Sequence, residues 1–319
     1  MAEKTDAAEP QAGLIGAGPG DSAPQAGAGG DEALIRAEGL VKRFGKVAAL
    51  DRVCLSVRRG EIYGVAGLNG AGKSTLLSVL AGIMPPDEGA VYYRERDAYA
   101  RKRESARERK SLTSGAGPYA LRVGYVPQDI ALFPDLSVYD NLKFWALAAA
   151  PPASDVKARV YGAASAAGLT DRLRERLSVL SGGMKRRVNI AAALATAPEI
   201  LIMDEPTAGL DIKNRRDILN FVRGLAKAPP RAESVAAAPP SNFASAIPAA
   251  APAAASPPAG LAVLFTSHQS GEIESFCDRL LLLDRGVPVF EGRPADAFIG
   301  KYKDFENFDD ILYAIGGGL

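Results

Sequence analysis

Gly67-Leu68-Asn69-Gly70-Ala71-Gly72-Lys73-Ser74-Thr75 is the stretch that decides the fold. It matches the phosphate-loop spacing G-x-x-x-x-G-K-[ST], with Gly67 and Gly72 as the fixed glycines, then Lys73 and Ser74. Residues 61–66 before it read as a short buried strand, and residues 75–81 after it read as a helix. Strand, loop and helix in that order are the context the motif requires. Glycines let successive backbone N–H groups turn inward with no Cβ in the way. The helix adds its positive end, so the loop makes an anion site. Lys73 brings a point charge to the outer phosphates, and the Ser74 hydroxyl suits Mg²⁺. The competing reading is a glycine-rich turn that only packs a helix on a strand. The full set of fixed positions and both flanks weigh against it.

Composition sets the outer bounds. The chain has 319 residues, enough for one large or two ordinary domains. It carries 33 glycines and 22 prolines, concentrated in two places, so the folded part is shorter than the chain. A formal net charge of +1 supplies no global field for nucleic acid, and no nucleic-acid partner is expected. The two cysteines, Cys54 and Cys277, sit in or beside apolar segments. They read as small buried side chains in a reducing compartment rather than a disulfide scaffold. The first residues lack the apolar core of a secretory signal, and no run of about 18 apolar residues exists to span a membrane.

Outward from the loop, residues 1–32 hold few large apolar side chains and read as a disordered tail. Residues 35–44 and 53–57 alternate as strands, with residues 50–53 linking them. Phe44, in Lys42-Arg43-Phe44-Gly45-Lys46, can stack on a purine, although on local evidence a phenylalanine far more often serves a core. Residues 94–110 mix basic and acidic side chains and read as a solvated helix or loop rather than a nucleic-acid patch. A loop follows at 111–118. Residues 122–128 read as a strand ending at Gln128, 135–149 as a helix, and 154–180 as a helical region punctuated by Gly168, Thr170 and Asp171. Ser181-Gly182-Gly183 opens an Ala-rich helix that Pro198 ends. Residues 200–203 form a buried strand, and 214–226 the next helix. The Ala, Pro and Ser of residues 228–260 read as a disordered insertion in one surface connection. Residues 261–265 resume as a strand running into Thr266-Ser267-His268, and 279–284 and 287–290 are the last strands. A polar and aromatic tail, helix-like at Pro294, closes the chain at 293–319. Alternating strands and helices imply a mainly parallel sheet covered by helices.

Strand ends carry the chemistry. An apolar strand ending in Asp204 puts a carboxylate at the carboxyl edge of the sheet, where a Mg²⁺ ligand belongs. Glu205 beside it can polarise a water for attack on a γ-phosphate. The single histidine, His268, follows an apolar strand in the same way, as does Gln128, an amide able to contact Mg²⁺ or the attacking water.

These pieces together resemble the ATP-binding subunit of an ATP-binding-cassette transporter over about residues 34–292. The residues that carry the resemblance are the phosphate loop, Gln128 in Tyr125-Val126-Pro127-Gln128, Leu180-Ser181-Gly182-Gly183-Met184, Leu201-Ile202-Met203-Asp204-Glu205-Pro206, Gly209-Leu210-Asp211, and His268. The Leu-Ser-Gly-Gly element is diagnostic, since other phosphate-loop ATPases lack it. The resemblance implies an α/β fold with a mainly parallel central sheet, an antiparallel β subdomain, and a helical subdomain at about 129–185. It implies a second cassette copy, met head to tail, with ATP and Mg²⁺ between the two. The loop of one copy, including Asn69, Gly70, Ala71 and Thr75, would then face Ser181, Gly182 and Gly183 of the other. Ser74, Gln128 and Asp204 are the implied metal ligands. Glu205 is the implied general base, His268 the partner of γ-phosphate and water, Asp211 the link between sites, and Phe44 the adenine stack. Gln128 and the helical region after it would receive a coupling helix from an integral-membrane subunit. The chain would then sit in the cytoplasm, peripheral on the inner face of the membrane. Met184 stands where many members have Gln, and Phe44 where many have Tyr. Met184-Lys185-Arg186-Arg187 looks like the branch serving drug, polysaccharide and antibiotic-resistance exporters. Two other readings fit the same motifs: a cassette ATPase in cluster assembly, repair or translation, and a nucleotide sensor without turnover.

Overall fold

The structure is a computed structural model and describes residues 33–94, the backbone of 96–97, and residues 123–149, 155–227, 260–299, 302–305 and 307–315. The expected tail at 1–32, most of the charged run at 94–110, the loop at 111–118 and the insertion at 228–259 lie outside the described residues.

Two sheets organise the described chain. The first is antiparallel, in the order β2-β1-β4-β5. It is built from β1 (Ala33–Phe44), β2 (Val47–Arg58), β4 (Glu88–Tyr93) and β5 (Arg96–Asp97). Residues 50–53 are not a connection between strands, as expected, but part of β2. Leu40 pairs with Val53 and Lys42 with Leu50, so β2 carries one more residue between those pairs than β1 does. Arg52 adopts a φ of 54° at this bulge. The extra residue breaks the two-residue alternation, which is why the pattern there does not read as strand. Strand β4 has little sequence signal of its own, since Gly89 and Ala90 favour strands poorly. Gly89 is required: at its φ of +86°, a Cβ would lie 2.3 Å from the Gly39 carbonyl oxygen.

The second sheet runs β10-β9-β3-β8-β7-β6. Its strands are β3 (Ile62–Ala66), β6 (Val123–Val126), β7 (Ile200–Met203), β8 (Ala262–Thr266), β9 (Arg279–Asp284) and β10 (Val287–Gly292). All neighbours pair in parallel except β10, which is antiparallel to β9. Every residue of β3, β7 and β8 is buried, the pattern of parallel strands covered on both faces. Parallel pairing brings the carboxyl ends of β3, β8, β7 and β6 to one edge. The phosphate loop, His268, Asp204 and Gln128 therefore emerge side by side.

Helix α1 (Lys73–Leu80) follows the loop and packs Leu76 and Leu77 under the first sheet with Leu40, Leu50 and Val65. On the other face lie α2 (Val138–Ala148), α3 (Val156–Ala166), α4 (Gly182–Leu194) and α5 (Ile212–Lys227), sharing a core that includes Leu142, Val160, Ile190 and Val222. Side chains cap three of these helices: Ser137 accepts Asp140 N–H, Asp155 accepts Ala158 N–H, and Ser181 accepts Met184 N–H. The region 154–180 is one helix followed by 3₁₀ turns at Thr170–Arg172 and Leu177–Val179.

Three further helices end the described chain: α6 (Ser270–Phe276), α7 (Pro294–Ala297) and α8 (Phe308–Ile315). Helix α7 starts at Pro294, where the sequence reads as helix-like, and α8 is a helix that the expected tail does not include. Phe308 and Ile311 are fully buried in a core with Ala66, Ile273 and Leu282. Cys54 also differs from expectation, being exposed on β2, whereas Cys277 is partly buried. Burial and nearby carboxylates push the Cys277 thiol pKa far up, so it stays neutral.

Candidate functional site

The phosphate loop is braced from behind by backbone. Ala71 N–H donates to Leu68 O at 3.1 Å, Gly286 N–H to Ala71 O at 2.9 Å, and Asp51 N–H to Gly286 O at 2.9 Å. Gly72 has a φ of +100°, and a Cβ there would lie 2.2 Å from Ala49 O. No side chain fits between the loop and β2. Lys73 is buried, and its ammonium donates to Gly67 O at 2.8 Å and Leu68 O at 3.0 Å. Burial lowers the Lys73 pKa, while Glu205 and Asp204 oppose that shift. The cation is thus held among the loop's own dipoles and faces the acidic edge.

That edge is held by Thr266, at the end of β8. Asp204 is buried, with its N–H on Val126 O at 2.9 Å. The Thr266 hydroxyl donates to Asp204 Oδ1 at 2.7 Å and accepts Glu205 N–H at 2.8 Å. Glu205 sits at a φ of 45°, in the left-handed region that a non-glycine residue rarely adopts. The bond to Thr266 holds it there. Glu205 Oε2 lies 3.2 Å from Gln128 Nε2, which donates to it, and 3.4 Å from His268 Nδ1. The Gln128 turn is itself pinned by Arg186 of α4, whose Nη1 donates to Gln128 O at 2.7 Å. A cavity of about 540 Å³ opens between the phosphate loop and these side chains.

A profile described as ABC transporter matches residues 50–208. The linearmycin resistance ATP-binding protein LnrL of Bacillus subtilis is 33% identical over 263 residues, covering 82% of this chain and 70% of that protein. The chain belongs to the ATP-binding-cassette family. As a cassette ATPase it binds and hydrolyses ATP in the service of transport. The Nod factor export ATP-binding protein I of Ralstonia nicotianae is 31% identical, over 83% of this chain and 68% of its own length. Among solved structures, cbiO1 from Clostridium perfringens, part of the transporter complex cbiONQ, superposes with a TM-score of 0.64. It is 25% identical, over 85% of this chain and 93% of that one.

Within this cassette, the cavity gathers Gly67, Asn69, Gly70, Gly72, Lys73, Ser74 and Thr75 with Gln128, Glu205 and His268. The other residues singled out in the sequence lie off its lining. Ala71 is buried behind the loop, and Asp204 lies beneath Glu205. Phe44 is half exposed, with the Lys42 ammonium 5.9 Å from its ring centre. Ser181 and Gly182 are exposed at the start of α4, and Asp211 is exposed just before α5, its carboxylate bonded to Asn214. Sequence reasoning missed Ala49, Leu68 and Leu312 in the lining, and Thr266 behind it. The apolar positions of residues 308–315 at helical spacing could have flagged Leu312.

The donor set suits a hard cation. Ser74 offers a hydroxyl, Gln128 an amide oxygen and Asp204 a carboxylate. Among the described residues no group of three or more His, Cys, Asp or Glu forms a cage for a metal. Sparse oxygen donors beside a phosphate site fit Mg²⁺, which needs few protein ligands.

Proposed function

We propose that this chain is the ATPase of an export system with separate membrane subunits, and that two copies close head to tail over ATP and Mg²⁺. The observation that carries the proposal is the one-sided cavity. Its lining includes the phosphate loop, Glu205 and His268, but none of Ser181, Gly182 or Gly183. Those three residues stand at the amino end of α4, where Ser181 caps the helix and Gly182 is bare. A helix terminus with a hydroxyl and two glycines is an anion site, and a second copy can bring it to the γ-phosphate.

In this reading the loop N–H groups and Lys73 bind the β- and γ-phosphates. Ser74, with Gln128 and Asp204, would hold Mg²⁺, which would supply positive charge to offset that of the phosphates. Glu205 takes a proton from a water whose oxygen bonds to the γ-phosphorus, as the bond from that phosphorus to the bridging oxygen breaks and ADP leaves with the electron pair. Gln128 and His268, both beside Glu205 Oε2, orient that carboxylate and the water. Phe44 stacks on adenine, and Asp211 faces the second copy.

Export is supported by the two relatives named for resistance and export, and by Met184-Lys185-Arg186-Arg187. No described helix is long and apolar enough to cross a membrane. An exposed apolar patch supports docking on a membrane subunit: Phe133, Leu136, Phe144 and Leu147, with the two phenylalanine rings edge to face at 5.0 Å. That docking makes the chain peripheral on the cytoplasmic face. The test is Glu205→Gln. Phosphate release from Mg-ATP is expected to disappear while ATP binding persists; undiminished release would remove Glu205 from its role.

A further inference from the structure

Behind the cavity, an ion pair between buried Glu272 and partly buried Arg215 ties together two segments that the hydrolytic scheme leaves separate. Glu272, on α6, is buried at 5% exposure. Its Oε2 accepts the Ser267 hydroxyl at 2.7 Å and the Thr207 hydroxyl at 2.9 Å. Its Oε1 lies 3.5 Å from Arg215 Nε, on α5. Arg215 in turn donates to Leu210 O at 3.1 Å through Nη2, and through Nη1 to Gln269 Oε1. Ser267 also accepts Gln269 N–H at 3.0 Å.

The pattern is reciprocal. The carboxylate takes one hydroxyl from each segment, and the guanidinium reaches one acceptor in each. In the first segment, Thr207 and Leu210 bracket the turn that ends at Asp211. In the second, Ser267 and Gln269 bracket His268. A carboxylate this deeply buried is costly unless it is fully paired, and a fold that needed only packing here would be served by apolar side chains. Arg215 Nε and Glu272 Oε1 are themselves buried and face each other as an ion pair.

We propose that Glu272 and Arg215 are positioning residues that hold His268 in register with the turn at 207–211. Movement of that turn, when its exposed end meets a second copy, is then transmitted to the strand end that carries His268 beside Glu205. The inference rests on the hydrolytic roles given above and adds a residue pair to them. Glu272 is not in the cavity lining, so it acts through its contacts with Thr207, Ser267 and Arg215.

The experiment is a double-mutant cycle in steady-state phosphate release from Mg-ATP, with ATP affinity measured separately. The variants are Glu272→Ala, Glu272→Gln and His268→Ala, alone and combined. Glu272→Ala is expected to lower kcat by roughly tenfold to a hundredfold through misplacement, with ATP affinity changed less than about twofold. Glu272→Gln keeps an oxygen for the hydroxyls but loses the charge facing Arg215, so it should recover part of that kcat. In the His268→Ala background, Glu272→Ala should cost little more. Unchanged kcat in Glu272→Ala, or equal fold losses with and without His268, would overturn the proposal. Thermal melting of each variant separates misfolding from misplacement; if Glu272→Ala does not fold, Glu272→Gln carries the cycle and the same outcomes decide it. Failure of the underlying hydrolytic reading looks different, since Glu205→Gln would then keep wild-type turnover.

Discussion

Thr266→Val removes one oxygen from the centre of the acidic edge and almost nothing else. Thr266 is fully buried, and valine fills nearly the same volume, so no cavity opens. The lost hydroxyl donates to the Asp204 carboxylate at 2.7 Å, a charge-assisted bond worth about 1.5–3 kcal/mol. It also accepts Glu205 N–H at 2.8 Å, and leaving that donor unpaired costs about 1–3 kcal/mol. Both effects pass through one oxygen and are not additive, so the expected loss is about 2–4 kcal/mol. Glu205 at φ 45° stores strain of about 1–2 kcal/mol, comparable to the anchor that is lost. Its backbone should therefore relax and carry the carboxylate away from Gln128 and His268. Urea denaturation should show the stability loss, and kcat for ATP should fall by roughly tenfold to a hundredfold. Thr266→Ser keeps the hydroxyl and should retain most of the turnover. A Thr266→Val protein within about 0.5 kcal/mol of wild type and with full kcat would refute the reasoning.

Two other perturbations probe the frame around the site. A Cβ at Gly64 on β3 would lie 2.4 Å from Cys277 Sγ, so Gly64→Ala should cost about 1–3 kcal/mol by overpacking. Adding Cys277→Ala should recover much of that loss in thermal melting. Hydrogen bonds from the Asn214 backbone and side-chain amide hold the Asp211 carboxyl below its usual range. Its contribution to stability is therefore present above the unfolded-state pKa of about 3.9 and fades as pH falls through the folded value. Asp211→Asn should melt below wild type at pH 6, and the difference should shrink on acidification into that range.

Some of this molecule is readable from its residues alone because the signals are local. The phosphate loop carries its own spacing, and the apolar runs at 200–203 and 261–265 announce buried parallel strands whose ends must share an edge. The bulge at Arg52 is less legible because its extra residue breaks the alternation, and the strand around Gly89 because it pairs with β1, some fifty residues earlier. The same holds at the site. Ala49 and Leu312 reach the cavity only after folding, from β2 and α8. Thr266 and Glu272 look like ordinary polar residues until folding pairs Thr266 with Asp204 and Glu272 with Thr207, Ser267 and Arg215. The final segment hid its role because Phe308 and Ile311 find their core against Ala66 and Leu282, near the opposite end of the described chain and in β9.

The central claim is that ATP is gripped between two half-sites on different chains. Sedimentation of Glu205→Gln, with and without Mg-ATP, tests it most directly. The account predicts a monomer without nucleotide and a stable dimer with it, and loss of that dimer in Glu205→Gln combined with Ser181→Arg. A species that binds Mg-ATP yet remains monomeric, or a dimer indifferent to the change at Ser181, would contradict it.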